Sequence, residues 1–454
     1  MGSRIAVIAV LVAAAPAITR AQPPSSVPAP GSAAPPPAST APPGTPATLS
    51  LDEAVQLALA HNERSGIAAL DVTVAQASLA RARTAFLPVL NANGNDTYAP
   101  FDTSSRTTGS SSTNSLRATA TLSQPVIAPS AWPLYSEAKH SLAAQQAQSV
   151  DDRRVLAFDT AKAYLGVLLA DQVVKAAQKK LETAKADVDD TDAQVKAQLA
   201  SSNDVTRAQI SLSGSVRELA ADQGSLDAAY VQLELLVNAR VPRSLESPAA
   251  LLAASEKPLP PVDQLVAASM KTRPDLAARK ESALAAHDFA REPRYRFFPT
   301  LSVQAQGTYA SVGTPSGHDV DGTLSLVAGW NIYDAGVRAA DEASRDAQAD
   351  ISDLQTQELV RTIDAQVRSA AVQLTASQAA LVAARDAVTA SQKSAQETAI
   401  LYHQGLAKAI ELVDANEQRF LAEVNLAEAE FSLASAYFAL LQAMGRGPLD
   451  LEVP

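Results

Sequence analysis

The side chains best suited to bind metal or move protons are five histidines: His61, His140, His287, His318 and His403. They are scattered, and none forms the helical pair that holds a zinc ion. Asp151–Asp152 and Asp189–Asp190 are adjacent acids on polar helical faces, where a solvated role is the default. No nucleophile elbow, P-loop or dinucleotide loop occurs. The chain has no cysteine. That excludes disulfides, zinc–thiolate sites, thiol nucleophiles and a lipid anchor on an N-terminal Cys. The sequence therefore predicts no catalytic residue, no metal and no cofactor. One further acidic pair, Glu411 and Asp414, opens a helical pattern. By spacing alone it is a solvated helix face with capping or i,i+4 pairing.

The elements around these residues say more. The chain has 454 residues, only 4% aromatic, with abundant alanine. That composition suits long helices packed through small side chains. A net charge of -11 excludes a basic nucleic-acid footprint. Residues 1–21 read as a secretory signal: Arg4 gives a positive start, Ile5 to Ala15 is apolar, and Ala21 precedes the expected cut. Residues 22–48 are a Pro-rich tether, with ten prolines between Gln22 and Pro46. No later stretch of about eighteen apolar residues occurs, so membrane insertion would require strands.

Residues 49–240 and 262–454 repeat one plan across a Pro-rich joint at 241–261. Each copy has a helical stretch, two alternating segments and a long helical hairpin. Pro88 and Pro299 are 211 positions apart, as are Asn62 and Arg273, while Gln124 and Trp330 are 206 apart. Near-constant offsets across unlike features indicate an internal duplication.

The alternating segments are Val89 to Tyr98, Leu116 to Gln124, Leu301 to Tyr309 and Leu324 to Trp330. In the first, Leu90, Ala92, Gly94 and Tyr98 oppose Asn91, Asn93, Asn95 and Thr97. Period two, a length near ten and one polar face match transmembrane barrel strands. Edge strands of a soluble sheet are the alternative, which leaves the small apolar faces without a partner. Ser/Thr/Gly-rich loops, Ala99 to Ser115 and Ala310 to Gly322, join the pairs. Tyr98, Phe101, Trp132, Tyr309, Trp330 and Tyr333 cluster at strand ends, as interfacial aromatics do. Four strands cannot close a barrel, and open edges are not tolerated in lipid. Three copies with twelve strands are the natural closure.

Leu134 to about Leu199 and Val337 to about His403 are helical patterns, the first roughly 100 Å long at 1.5 Å per residue. They return as Asp204 to Leu236 and Glu411 to Met444. In the last, Phe420, Val424, Ala427, Phe431, Ala434, Phe438 and Leu441 form a heptad seam.

From Leu49 onward this plan resembles the TolC-like outer-membrane factors, an efflux protein family. Asn331-Ile332-Tyr333-Asp334-Ala335-Gly336 is similar to the family's approach to each hairpin. Leu49 to Ala54 and Arg273-Pro274-Asp275-Leu276 are similar to its helix openings. Gly405, Glu411 and Asp414 match the spacing at its hairpin turns, whereas Gln198 stands where Gly is usual and Ala407 where some members have a basic residue. The resemblance implies a mainly α fold with a β-barrel part. Long hairpins would form a periplasmic tunnel, and four strands per protomer would close a twelve-stranded barrel in a homotrimer.

It further implies a passive outer-membrane conduit, not an enzyme. A periplasmic adaptor and an inner-membrane pump of RND, ABC or MFS type would serve it, with outer-membrane lipid around it and no nucleic acid. Glu411 and Asp414 would form acidic rings in the lumen near the mouth. Tyr402 would donate to Asp204 and close the hairpins. Ala200, Gly405 and Leu406 would mark the turns where an adaptor docks. A periplasmic coiled-coil scaffold or adaptor without a pore is the competing reading. It would carry a compact domain between its hairpin halves, and none is visible.

Overall fold

A computed structural model describes residues 48–98, 114–198, 201–311 and 318–451. The signal segment, all but the end of the tether, most of the first Ser/Thr/Gly-rich loop, residues 312–317 of the second and Ala200 lie outside these residues.

Helix α1 (Leu51–His61) opens with a capping box: Ser50 and Glu53 bond each other's backbone N–H. Asn62 ends α1 and caps α2 (Glu63–Thr84), its Oδ1 accepting from Arg64 N. Pro88 then starts the chain into strand β1 (Val89–Tyr98), which pairs with β2 (Asn114–Ile127). Strand β2 runs into α3 (Ala131–Lys196), which turns back as α4 (Ser202–Val237). The second copy follows: α6 (Val262–Thr272), α7 (Pro274–Tyr295), β3 (Thr300–Ala310), β4 (Val320–Gly329), α8 (Val337–His403) and α9 (Ala409–Ala443). Between the copies lies α5 (Ala249–Ser255).

Helix α3 has 66 residues and α8 has 67, each about 100 Å long at ~1.5 Å per residue. The four strands form one antiparallel sheet in the order β1-β2-β3-β4. Each strand continues a helix or is continued by one: α2 into β1, β2 into α3, α7 into β3, β4 into α8. The helices α2, α3, α7 and α8 pack side by side in that same order.

Matching residues do the same work in both copies. Asn62 Nδ2 donates to Leu236 O at 2.8 Å, and Arg273 Nη1 donates to Ala443 O at 3.1 Å. Asn238 and Gly445, which follow the returning helices, both take left-handed φ, 52° and 76°. At the hairpin turns Gln198 and Gly405 do likewise, at 59° and 73°. The left-handed turn is thus kept where glycine is not, at a steric cost to Gln198.

The core lies where α1, α5 and α6 wrap the hairpins. Phe158, Leu251, Leu265, Leu276, Ile363 and Phe438 are buried there together, and the Phe158 and Phe438 rings meet edge-on at 5.9 Å. Of the seam on α9, Phe420, Ala434, Phe438 and Leu441 are buried and Val424 is half-buried.

Three boundaries differ from the sequence pattern. Strand β2 extends to Ile127, with a bulge between Pro125 and Ile127, because its ladder with β3 continues beyond the apolar alternation. Strand β4 begins at Val320 and stops at Gly329, so Val320 to Gly322 is strand and Trp330 lies just outside it. The joint is not a bare linker. Leu251 of α5 enters the core, and Leu245 bridges Leu49 beneath the buried Tyr164 hydroxyl, 2.8 Å from Leu49 O and 2.7 Å from Glu246 O.

Candidate functional site

The strand register sorts the sheet into two faces. Leu90 pairs with Leu122, Leu122 with Ala305, and Ala305 with Leu324. Ala92, Ala120, Gly307 and Gly322 form the next row, then Gly94, Ala118, Tyr309 and Val320. Between them run polar rows such as Asn91, Thr121, Gln306 and Thr323. Apolar residues thus share one face across all four strands, because side chains alternate and the register never slips within these rows. Among the described residues nothing covers that face: Leu90 is 66% exposed and Leu324 77%. Strands β1 and β4 each have one edge that is unpaired among the described residues. Among the described residues no helix is long and apolar enough to cross a membrane.

Aromatic side chains mark both ends of the sheet. Tyr98 and Tyr309 stand at the loop end, both exposed. Trp132, Trp330 and Tyr333 stand at the helix end, also exposed. Their ring partners there were not foreseen as belt residues: Trp132 meets Tyr295, and Trp330 meets Phe297. Phe86 and Tyr135 form a further pair. The aromatic–proline steps Phe86-Leu87-Pro88 and Phe297-Phe298-Pro299 were the available signal.

The hairpin ends lie at the far end of α3 and α8. Tyr402 is 4% exposed, but it does not reach Asp204. Its hydroxyl lies 3.1 Å from Thr191 Oγ1. Asp204 is occupied in a capping box, its Oδ2 accepting from Ser201 N at 3.1 Å. A carboxylate three residues into a helix is held by the open N–H groups at that terminus, and this local bond takes Asp204 from the longer one. Glu411 and Asp414 are exposed at the start of α9, and neither side chain makes a hydrogen bond or ion pair among the described residues. Gly405 and Leu406 form the turn itself, with Leu406 72% exposed.

Sequence reasoning missed a polar stripe on α3. Thr183, Asp187 and Thr191 recur every fourth residue and face α9 and α8. Asp187 accepts from Asn416 Nδ2 at 3.0 Å, and Arg419 Nη2 donates to Thr183 Oγ1 at 3.1 Å. Burial pushes the Asp187 carboxyl above its ordinary value of 3.8; the Asn416 bond opposes this and nearby Asp190 adds to it. One turn earlier, Lys180 bridges Glu218 and Glu417, each at 2.6 Å, and its ammonium lies 4.2 Å from the Phe420 ring centroid. The period of four was legible in the sequence.

The histidines stay dispersed. His140 pairs with Glu281 at 2.7 Å, His287 with Asp353 at 2.9 Å, and His403 with Asp190 at 3.9 Å. No group of side chains among the described residues could hold a metal ion.

A model of the outer membrane efflux protein family matches residues 54–239 and again 265–446. The chain belongs to the outer membrane efflux protein family. The two matched segments fall within residues 49–240 and 262–454. The efflux chain is 25% identical over 314 residues to the outer membrane efflux protein BepC of Brucella suis biovar 1, covering 68% of this chain and 67% of BepC. It shares its fold with the outer membrane protein VceC of Vibrio cholerae: TM-score 0.73, 18% identity, 87% of this chain and 96% of that one. The CmeC outer membrane channel of Campylobacter jejuni gives a TM-score of 0.75 at 16% identity, over 87% and 85% of the two chains. The efflux protein accordingly belongs to the outer membrane, with the sheet as its membrane part and the hairpins as its periplasmic part. Membership of an outer membrane efflux family counts against the periplasmic scaffold or adaptor.

Proposed function

We propose that three copies close a twelve-stranded barrel, β4 of each pairing with β1 of the next. Twelve helices continue it as a periplasmic tunnel. The observation that carries this reading is the four-stranded sheet with one apolar face in register and two unpaired edges. In lipid each unpaired N–H or C=O costs several kcal/mol, so the edges must find partners. The polar rows then line an aqueous lumen, through which substrate passes without chemistry on this chain.

Energy for transport comes from an inner-membrane pump of RND, ABC or MFS type, joined through a periplasmic adaptor. A cleft of about 680 Å³ between α3, α8 and α9 supports adaptor docking. Lys175, Lys179, Glu182, Glu423 and Glu430 around it give it both signs of charge. The turn at Gly405 and Leu406 marks the mouth. Glu411 and Asp414, exposed and unpaired within the described residues, form acidic rings there that draw cations.

Native mass spectrometry of the detergent-extracted protein, followed by bilayer reconstitution, tests this reading. Trimers that conduct ions are expected. A monodisperse monomer without conductance would overturn it.

A further inference from the structure

Where β2 and β3 meet α3 and α7, the apolar face of the sheet opens into a cleft of about 450 Å³. That lies within the roughly 300–1,000 Å³ of small-ligand pockets. Ile127, Trp132, Tyr295, Phe298, Leu301 and Ala328 supply its walls, and no charged side chain lines it. Leu301 pairs with Ile127 on one side and Ala328 on the other, so the floor of the cleft continues the lipid-facing rows. Its walls are braced ring against ring. Trp132 meets Tyr295 at 6.4 Å, and Tyr295 meets Phe298 at 6.2 Å.

Cationic groups flank the cleft on the helix side. Arg291 precedes Tyr295 by one turn of α7 and so shares its face. Its side chain is 63% exposed, while its partner Asp288 is 12% exposed and also engages Ser136 and His140. Lys139 follows Trp132 by two turns of α3 and is exposed. An apolar slot at the aromatic belt, with cations one to two turns deeper into the periplasm, matches a lipid: chain in the slot, phosphate at the cations. The cleft runs from Ile127 of β2 across Leu301 of β3 to Ala328 of β4, and no residue of β1 lines it.

We propose that this cleft holds one acyl chain of a glycerophospholipid of the periplasmic leaflet, with its phosphate against Arg291 and Lys139. The site rests on the reading above only in that this face meets lipid.

The chain contains two tryptophans. Trp132 lines the cleft and Trp330 does not. In a Trp330→Phe background, Trp132 fluorescence reports on the slot. Conducting trimers of that variant in detergent are titrated with phosphatidylglycerol carrying a dibrominated chain. Quenching that saturates at stoichiometric lipid is expected. Adding Leu301→Phe and Ala328→Phe to fill the slot should abolish the saturable phase. Leu324→Phe, on the same face but outside the cleft, should keep it. Arg291→Gln should weaken binding about fivefold, an effect that shrinks with salt.

Quenching that climbs without saturation, equally in the filled variant and the Leu324→Phe control, would overturn the site while leaving the conducting trimer intact. Should the filled variant not assemble, native mass spectrometry of membrane-extracted parent trimers decides. Retained phospholipid supports the site, and lipid-free trimers overturn it.

Discussion

The Tyr402 hydroxyl donates to Thr191 Oγ1, 3.1 Å away, at the closed ends of two hairpins from different copies. The direction follows from Thr191, whose own hydroxyl donates to Asp187 O at 2.6 Å and can only accept from Tyr402. Both residues are buried. This bond joins neutral groups, so its net worth is about 0.5–1.5 kcal/mol, below that of a bond to a carboxylate. Tyr402→Phe should raise amide exchange in the last turns of α8 by up to about tenfold. Thr191→Val should do the same, and the two together should not add. Full additivity would show that the residues act separately.

Asp187 makes the stability of the same hairpin end depend on pH. Its carboxyl titrates above 3.8 in the folded chain, chiefly because it is buried. Just above 3.8 the folded state therefore holds more protons than the unfolded state, and stability falls as pH rises from there through the raised folded-state pKa. His403, Arg419 and Asp190 also act on this carboxyl, so the variant isolates its part. Asp187→Asn should flatten the pH dependence there and leave the neutral-pH protein as stable or more so. Thermal unfolding of the trimer from pH 4 to 7 measures it. An unchanged slope would refute the assignment.

Two left-handed glycines should respond differently to alanine. At Gly405 nothing lies within 4 Å of an added Cβ, so Gly405→Ala should cost only the backbone term, about 1–2 kcal/mol. At Gly445 the same Cβ would stand 2.7 Å from Arg273 Cα and 2.9 Å from Arg273 N. That backbone cannot yield, since the Arg273 guanidinium is fixed by Asp275, Gln366 and Ala443 O. Gly445→Ala should cost clearly more, read as trimer yield and melting temperature. Equal losses would mean that the contact relaxes.

The proposed acidic rings predict a change in cation sensitivity. Replacing both Glu411 and Asp414 by alanine should weaken channel block by multivalent cations in planar bilayers. Wild-type block in the double variant would leave these carboxylates a solvated helix face.

Topology can be read from two exposed positions, Asp319 beside the strand loop and Gln404 at the hairpin turn. Cysteine at Asp319 should react with a bulky maleimide on intact cells. Cysteine at Gln404 should react only after the outer membrane is opened. The reverse pattern would invert the molecule.

Sequence alone determined the doubled plan, the four strands and the long hairpins. Those features depend on side chains a few residues apart: the alternation through Leu90 and Ala92, the seam through Phe431 and Phe438, the stops at Pro88 and Pro299. The capping boxes at Ser50–Glu53 and Ser201–Asp204 are equally local. Tertiary structure decided the partners. Thr191 rather than Asp204 meets Tyr402, because the N-terminus of α4 holds Asp204 and the crossing of two long helices puts Thr191 within reach. It also set the burial of Asp187 and drew Leu251 into the core. Periodicity gives the face a residue occupies, but the neighbour on that face is fixed only when segments some two hundred residues apart pack together.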